Sequence, residues 1–244
     1  MAQIEGRNPV IEAIKSGRTI KKIFIQEGVR GKKVDRIIKE ASRFNIPLQK
    51  AKKDFLDKKA RSHSHQGIIA MADDIKYVSP REMVEIAREK GEDPFIIILD
   101  QVQDPHNLGA IIRTAYAAGA HGLIYPRKRS ADITPVVTKA SAGAVNHLPL
   151  AKVSNINYTI ADLKDMGLWI TGTDVRGTRP YYSADYKGPV GLVIGNEGKG
   201  MRRLVKENCD FVVNIPMSGE LGSLNASVAA GVVIFEVVRQ RRST

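Results

Sequence analysis

Three polar segments follow apolar, strand-like runs and carry the residue types of ligand-binding loops. In the first, VGLVIGNEGKG (190–200), an apolar run breaks at Gly195 into a loop that holds three glycines and Glu197. Glycine lets a backbone approach a ligand closely, although a tight turn with positive φ would also select it. The embedded carboxylate indicates either a bond to loop amides or a cationic partner.

The second segment, DQVQDPHNLGAIIR (100–113), leads from the apolar run FIIIL into a helix. Polar loops at the carboxyl ends of parallel strands are the usual ligand sites of α/β proteins. Asn107 is expected either to cap this helix or to take part in a site. Arg113 lies among small apolar residues of the helix, so we expect its guanidinium to have an anionic partner.

The third segment, IPMSGELGSLN (215–225), precedes a long apolar helix. Ser223 or Asn225 would cap that helix. The helix is apolar on nearly every face, which predicts burial in the domain or against a second subunit. Since all three segments follow strands of one domain, we expect them to form one shared site.

The remaining pattern supplies the elements that position these segments. From residue 94 onward, strand-like and helix-like runs alternate, which predicts an α/β domain with a mainly parallel sheet and helices on both faces. The predicted strands are 95–99, 122–125, 147–151, 168–172, 190–194 and 211–215, and the predicted helices are 108–118, 134–141, 155–166, 201–207 and 223–241. The first 72 residues alternate in the same way and predict a smaller α/β domain.

Positive charge is concentrated in the first part of the chain. The net charge is +12 over 244 residues, and residues 1–72 hold 17 basic against seven acidic side chains. Residues 73–93 hold four against seven, and we interpret them as a linker to a second domain over 94–244. The surplus favours a polyanionic partner, because each Lys or Arg contact to a phosphate releases a condensed counterion.

Several common sites are missing from the sequence. It holds no G-x-G-x-x-G after a strand, no G-x-x-x-x-G-K-[ST] and no G-x-S-x-G, so a dinucleotide fingerprint, a P-loop and a hydrolase elbow are not expected. His63 and His65 lack a third metal ligand nearby, and Cys209 is expected to be a buried structural thiol. A single cysteine, no apolar run of about 20 residues and no signal-like start together predict a cytoplasmic protein without membrane or metal.

The three segments, taken together, resemble a known set of motifs. N-L-G-A-I-I-R, I-G-N-E-G-K-G and I-P-M-x-G-x-x-x-S-L-N-A-S-V-A-A-G resemble those of the SpoU (TrmH-like) family, RNA ribose 2′-O-methyltransferases of the SPOUT superfamily. The opening E-G-R-N-P-V-x-E-A-I and the H-Q-G-I-I-A that closes the basic domain are similar to the family's RNA substrate-binding domain, which resembles ribosomal proteins. The resemblance covers nearly the whole chain.

The resemblance implies S-adenosylmethionine as methyl donor, a trefoil knot toward the carboxyl terminus and a homodimer with sites at its interface. The positions that match the family's cofactor-binding residues are Ile194, Gly195, Ile215, Met217 and Leu224. In the substrate-binding domain, the expected RNA contacts are Arg7, Arg61 and His65.

The same resemblance implies a catalytic set of Asn107, Arg113, Glu197, Ser223 and Asn225. A ribose 2′-OH is a weak nucleophile that must lose its proton, and an arginine with a pKa above about 12 is a poor base. Arg113 is therefore expected to bind an RNA phosphate or to stabilise the developing alkoxide, with Asn107 orienting it or the ribose. Glu197 would hold the glycine loop, while Ser223 and Asn225 would hydrogen-bond the ribose.

The additional domain resembles that of the family's ribosomal-RNA branch, and this resemblance implies a guanosine of 23S ribosomal RNA as the substrate. Transfer RNA is the alternative within the same chemistry. A non-catalytic RNA-binding factor for ribosome assembly would be a different class of protein. That class is disfavoured because Arg113, Glu197, Ser223 and Asn225 are all present.

Overall fold

The computed structural model describes residues 1–61, 64–219 and 222–242. Its strands are β1 (Ala2–Glu5), β2 (Ile20–Gln26), β3 (Leu48–Ala51), β4 (Ile68–Ala72), β5 (Phe95–Leu99), β6 (Gly122–Pro126), β7 (Leu150–Val153), β8 (Trp169–Thr173), β9 (Arg179–Pro180), β10 (Val190–Ile194) and β11 (Phe211–Asn214). Its α-helices are α1 (Arg7–Lys15), α2 (Lys32–Arg43), α3 (Lys53–Lys59), α4 (Pro80–Glu89), α5 (Pro105–Ala117), α6 (Pro135–Ala140), α7 (Ile156–Asp165), α8 (Arg203–Glu207) and α9 (Ala226–Arg242).

The chain folds into two compact units. The first comprises Met1–Lys76 and Asp132–His147, and the second comprises Tyr77–Ala131 and Leu148–Thr244. The sequence pattern places its boundaries differently, at residues 72 and 94. The difference at residue 94 has a clear cause, since the acidic segment contains α4, whose Met83 and Val84 are fully buried in the core of the second unit.

The first unit is built on a four-stranded sheet in the order β1-β4-β2-β3. Only β2 and β3 run parallel, and the other neighbours are antiparallel. Helices α1 and α2 supply apolar side chains such as Val10 and Ile37 to one core, while Leu56 of α3 packs with Phe24 and Ile69 in another. This arrangement confirms a small α/β module at the amino terminus, although β1 was not predicted.

The segment 132–147 completes the first unit through specific contacts with α1 and with the residues that follow it. Arg18 donates from Nη1 to Asn146 Oδ1 at 2.8 Å, and His147 Nε2 lies 3.2 Å from Glu12 Oε2. Gly143 has a φ of +92°, and a Cβ there would lie 2.6 Å from the Glu12 Cβ. A glycine is therefore required where this segment packs against α1.

The second unit is built on a seven-stranded sheet in the order β7-β6-β5-β10-β8-β11-β9. All neighbouring strands are parallel, which confirms the predicted parallel sheet. β5 and β10 are buried along their whole length because helices cover both faces. Helices α4, α7 and α8 cover one face, and α5 and α9 cover the other.

Helix α9 buries one face and exposes another. Its buried residues include Ala230, Val233 and Val237, whereas Val228 and Phe235 are 53% and 51% exposed. A single chain therefore buries one face of α9 and leaves apolar side chains of another face exposed, whereas the sequence predicts burial on nearly every face.

The described residues bear on three further expectations, which concern membrane helices, metal sites and the role of Cys209. Within residues 1–61, 64–219 and 222–242, no helix combines the length and apolarity needed to cross a membrane. The same residues contain no group of three or more His, Cys, Asp or Glu placed to hold a metal ion. Cys209 donates from Sγ to the Val205 carbonyl at 3.3 Å, and burial raises the pKa of its thiol to about 12, which suits a structural thiol.

Arg241 fastens the end of α9 to the amino edge of the parallel sheet. Its guanidinium donates to the carbonyls of Gly188 (2.7 Å), Asp93 (2.8 Å) and Pro94 (3.1 Å), and it lies 5.3 Å from the Phe95 ring centroid. Burial lowers the pKa of this arginine. One planar group thus satisfies several carbonyls at once, which a lysine cannot do.

We expect Arg241→Lys to lower the free energy of unfolding by about 1.5–3 kcal/mol, because hydrogen bonds between the charged guanidinium and several backbone carbonyls are lost. Urea unfolding monitored by circular dichroism measures this loss. The matched control is Arg242→Lys on the exposed side of the same helix. Equal stability of the two variants would contradict the assigned role of Arg241.

Candidate active site at the carboxyl edge of the parallel sheet

The loops that follow β5, β10, β8 and β11 meet at one edge of the second unit, because these strands are parallel neighbours. The strand order reverses between β5 and β10. Such a reversal opens a crevice outside the carboxyl ends of the strands, where α/β proteins bind ligands. The three segments predicted from sequence are the loops after β5, β10 and β11.

The glycine loop after β10 closes on itself. The backbone groups of Asn196 and Gly200 exchange two hydrogen bonds of 3.0 Å, and Asn196 Oδ1 accepts from Gly198 N and Lys199 N at 3.1 Å each. A Cβ on Gly195 would lie 2.5 Å from Gly200 C and Met201 N. Gly200 itself has a φ of +65°. Both of these glycines are thus required by the path of the loop.

Glu197 joins this loop to the start of α5. Its Oε1 accepts from Asn107 Nδ2 at 2.9 Å, and its Oε2 accepts from Asn196 Nδ2 at 3.1 Å. Asn107 is 6% exposed. The cap of α5 is Asp104, whose Oδ1 accepts from His106 N at 3.0 Å. The capping alternative for Asn107 is therefore wrong, and its amide faces the glycine loop.

A buried carboxylate supports the same loop from beneath. Asp100 directly follows β5 and is fully buried. Its oxygens accept from Arg202 N, Nε and Nη2, each at 2.7 Å. This pairing ties the end of β5 to the chain just after the glycine loop.

A cavity of about 640 Å³ opens between these loops. All five residues expected to bind a cofactor line it, namely Ile194, Gly195, Ile215, Met217 and Leu224. Glu197 and Ser223 from the expected catalytic set line it as well. Asn107, Arg113 and Asn225 are not among its lining residues.

The loop after β8 is a part of the cavity wall that sequence reasoning missed. Residues 173–176 line the cavity, as do Arg203 and Lys206 of α8. Lys206 Nζ lies 3.2 Å from Asp174 Oδ1, which connects the two elements. The available signal was T-D-V-R, a polar run directly after the predicted strand 168–172.

Arg113 lies on the exposed side of α5, on the same face as Tyr116. Its guanidinium has no hydrogen bond or ion pair within the described part of the chain. The anionic partner that we expected for Arg113 is therefore not found within the second unit.

In the third segment, Asn225 caps α9, and its Oδ1 accepts from Ser227 N at 2.9 Å. Ser223 is exposed at the cavity.

The three RNA contacts expected in the first unit differ in accessibility. Arg61 and Arg7 reach the surface, although Arg7 Nε donates to the Gln66 carbonyl at 3.2 Å. His65 is 8% exposed, its Nδ1 accepts from Gly67 N at 3.0 Å, and its Nε2 lies 2.8 Å from Asp57 Oδ1. Both ring nitrogens of His65 thus help to hold the turn before β4, and its contact with RNA stays a prediction.

Sequence reasoning also missed a basic and aromatic surface on the first unit. Lys59 and Lys22 lie 5.3 and 5.8 Å from the Phe24 ring centroid, and the Phe55 ring lies 5.4 Å from it. Phe55 is 45% exposed. Phe24 belongs to the core, so Phe55 is the ring that this surface offers beside the two lysines, a combination that suits single-stranded nucleic acids.

Known proteins resemble the chain along its whole length. Residues 94–235 match the SpoU rRNA Methylase family, and residues 3–78 match the family described as RNA 2′-O ribose methyltransferase substrate binding. A Bacillus subtilis protein named "Putative TrmH family tRNA/rRNA methyltransferase YacO" is 43% identical over 236 residues, covering 97% of this chain and 94% of the relative.

Two solved structures have a similar fold. The SpoU methyltransferase AviRb of Streptomyces viridochromogenes, in complex with AdoMet, matches with a TM-score of 0.83 at 25% identity, over 99% of this chain and 91% of that one. An AdoMet-bound rRNA methyltransferase of Sinorhizobium meliloti matches with a TM-score of 0.81 at 27% identity, over 98% and 87% of the two chains.

We expect Glu197→Gln to destabilise the site, because a glutamine presents an NH2 donor to one of the two amide donors that the carboxylate now satisfies. The loss should be about 1–3 kcal/mol in the free energy of unfolding. Chemical denaturation measures it, with Glu207→Gln on the exposed surface of α8 as control. A Glu197→Gln protein as stable as that control would show that the two amides do not depend on the carboxylate.

Proposed function

The chain belongs to the SpoU rRNA methylase family of S-adenosylmethionine-dependent RNA methyltransferases, and we propose that it methylates the ribose 2′-OH of a guanosine in 23S ribosomal RNA. One observation carries the proposal. The glycine loop, the loop before α9 and the end of β10 enclose a single cavity whose lining includes every residue expected to bind the cofactor.

The residues present fit S-adenosylmethionine. The cavity of about 640 Å³ lies within the usual range for ligands of this size, about 300–1,000 Å³. Ile194, Ile215 and Leu224 offer apolar surface for flat or aliphatic groups, and Gly195 leaves backbone groups accessible. Asp174 pairs with Lys206 and Glu197 accepts from two amides, so apolar and backbone groups rather than free charges support the fit. When bound, S-adenosylmethionine supplies a methyl group on a positively charged sulfur.

The chain's own residues then have to position and activate the ribose. Ser223 offers a hydroxyl at the exposed rim of the cavity, and Asn225 starts α9 beside it, so both suit hydrogen bonds to the ribose. Glu197 keeps the glycine loop in place through Asn107. Arg113 binds an RNA phosphate and stabilises negative charge as the 2′-OH loses its proton, because its guanidinium stays protonated.

A homodimer accounts for the position of Arg113. This residue is absent from the cavity lining, yet it shares an exposed helix face with Tyr116, which is 47% exposed. Helix α5 packs against α9, where Val228 and Phe235 are exposed. Pairing two chains through this apolar face would bury it and add Arg113 to a site shared between subunits.

One observation supports ribosomal RNA over transfer RNA. The resemblance to the rRNA methyltransferase of Sinorhizobium meliloti extends over 98% of the chain, including the substrate-binding domain. That domain also carries most of the positive charge, which suits the phosphates of either RNA. A ribosomal RNA substrate in turn makes the cytoplasm the place of the reaction.

We expect the purified full chain to transfer label from S-adenosylmethionine to unmodified 23S ribosomal RNA, and to the guanosine ribose within it. Nuclease digestion followed by chromatography of the nucleosides measures both. Transfer RNA is the parallel substrate. Label on transfer RNA alone would support the proposed methyl transfer but contradict 23S ribosomal RNA as the substrate. Absence of label on either RNA, despite RNA binding, would favour assembled ribosomal particles as the substrate or the non-catalytic assembly factor.

We expect Arg113→Ala to reduce the rate of methyl transfer by at least about 100-fold, since an electrostatic group near the developing charge is worth roughly 2.7–4 kcal/mol. Binding of S-adenosylmethionine, measured by calorimetry, should be unchanged. Arg81→Ala, on the exposed surface of α4, is the control. Normal transfer by Arg113→Ala, or equal losses in both variants, would remove Arg113 from the mechanism.

A further inference from the structure

We propose that the basic turn Arg127–Arg129 binds backbone phosphates of the substrate RNA a few nucleotides from the methylated ribose. This inference rests on the proposed function and extends it to the path of the RNA over the second unit. The turn is the Arg-Lys-Arg run that directly follows β6. None of the residues assigned above to the cofactor, the ribose or the first unit belongs to it.

The turn lies at the same edge of the sheet as the candidate active site. β6 is the direct neighbour of β5, and β5 is the neighbour of β10, with all three strands parallel. Adjacent strands are about 4.8 Å apart, so the end of β6 lies on the order of 10 Å from the end of β10. The loop after β5, which leads into α5 with Asn107, lies between them.

Hydrogen bonds on both sides hold the turn in place. Beyond it, Ala131 N and Ser130 Oγ both donate to the Val102 carbonyl in the loop after β5, at 2.9 and 3.0 Å. At its start, Arg127 N donates to the Val153 carbonyl at 2.8 Å and Arg127 Nε donates to the Lys152 carbonyl at 3.2 Å. The turn is therefore fixed to the loop between β5 and α5 and to the end of β7.

The charges of the turn face solvent without compensation. All three side chains are exposed, and neither Lys128 nor Arg129 makes a side-chain hydrogen bond or ion pair within the described residues. Arg129 has a φ of +59°, a left-handed conformation that costs a non-glycine residue roughly 1–2 kcal/mol. The fold thus keeps three like charges together in a strained turn, which an anionic ligand would stabilise.

The geometry fits a nucleic-acid backbone. Successive phosphates of a stacked strand are about 3.4 Å apart along the axis, so roughly 10 Å corresponds to about three nucleotides. An RNA strand with one ribose at the cavity would therefore bring phosphates to the turn if it follows the sheet edge. Arginine forks bind phosphate oxygens in pairs, and the lysine adds a mobile charge.

The test is the double variant Lys128→Gln/Arg129→Asn in the full chain, since asparagine tolerates the left-handed conformation and Arg127 keeps its structural bond. The matched control is Lys90→Gln/Lys187→Gln, which removes two exposed charges that precede β5 and β10 at the opposite edge. Binding to unmodified 23S ribosomal RNA is measured from 50 to 200 mM salt.

We expect the test variant to bind RNA on the order of tenfold more weakly than the control. Its slope of log affinity against log salt should be smaller by about 1.4–1.8, or about 0.7–0.9 for each lost phosphate contact. In methyl transfer, KM for RNA should rise while kcat and the affinity for S-adenosylmethionine stay unchanged.

Equal slopes in the two variants would overturn the proposal, and so would a change in oligomeric state confined to the test variant, which would make the turn a protein contact. Failure of the proposed function is a separate result. In that case the unaltered protein would transfer no label to any RNA, while the comparison of salt slopes would still report on the turn.

Discussion

The pairing of the buried Asp100 carboxylate with Arg202 is the contact on which the candidate active site depends. A fully buried carboxylate is costly unless it is paired and hydrogen-bonded, and here three donors from one arginine satisfy it. Because Asp100 ends β5 and Arg202 follows the glycine loop, the pair sets how the loops after β5 and β10 face each other. The bonds that Glu197 makes to Asn107 and Asn196 are possible only in that arrangement.

The strands of the second unit other than β9 were predictable because a parallel sheet covered on both faces needs nearly continuous apolar runs, such as FIIIL at β5. The two-residue β9 (Arg179–Pro180) has no apolar run and was not predicted. The candidate site was largely predictable as well. Glycine density and an embedded carboxylate marked the loop after β10, and the cap and the apolar helix marked the loop before α9. The loop after β8 was missed because T-D-V-R has an ordinary polar composition.

Other features depend on three-dimensional packing that no local pattern encodes. Arg113 has apolar neighbours in sequence, yet successive helical residues turn by about 100°, so it faces outward while Ile112 faces the core. His65 lies in a polar segment, which predicts an exposed side chain, but its ring is buried and bonds to Gly67 and Asp57. Residues 132–147 belong to the first unit because Gly143 packs against α1, which lies more than 130 residues earlier in the chain.

The membership of residues 132–147 in the first unit has a consequence for synthesis. Domains generally fold as units as the chain emerges, with the amino-terminal one first. Here the amino-terminal unit lacks α6 and the partner of Glu12 until residue 147 has emerged, by which time β5 and β6 of the second unit are already translated. The basic first unit therefore reaches its final packing only after part of the second unit has been translated, so that an incomplete second core accompanies it on the ribosome.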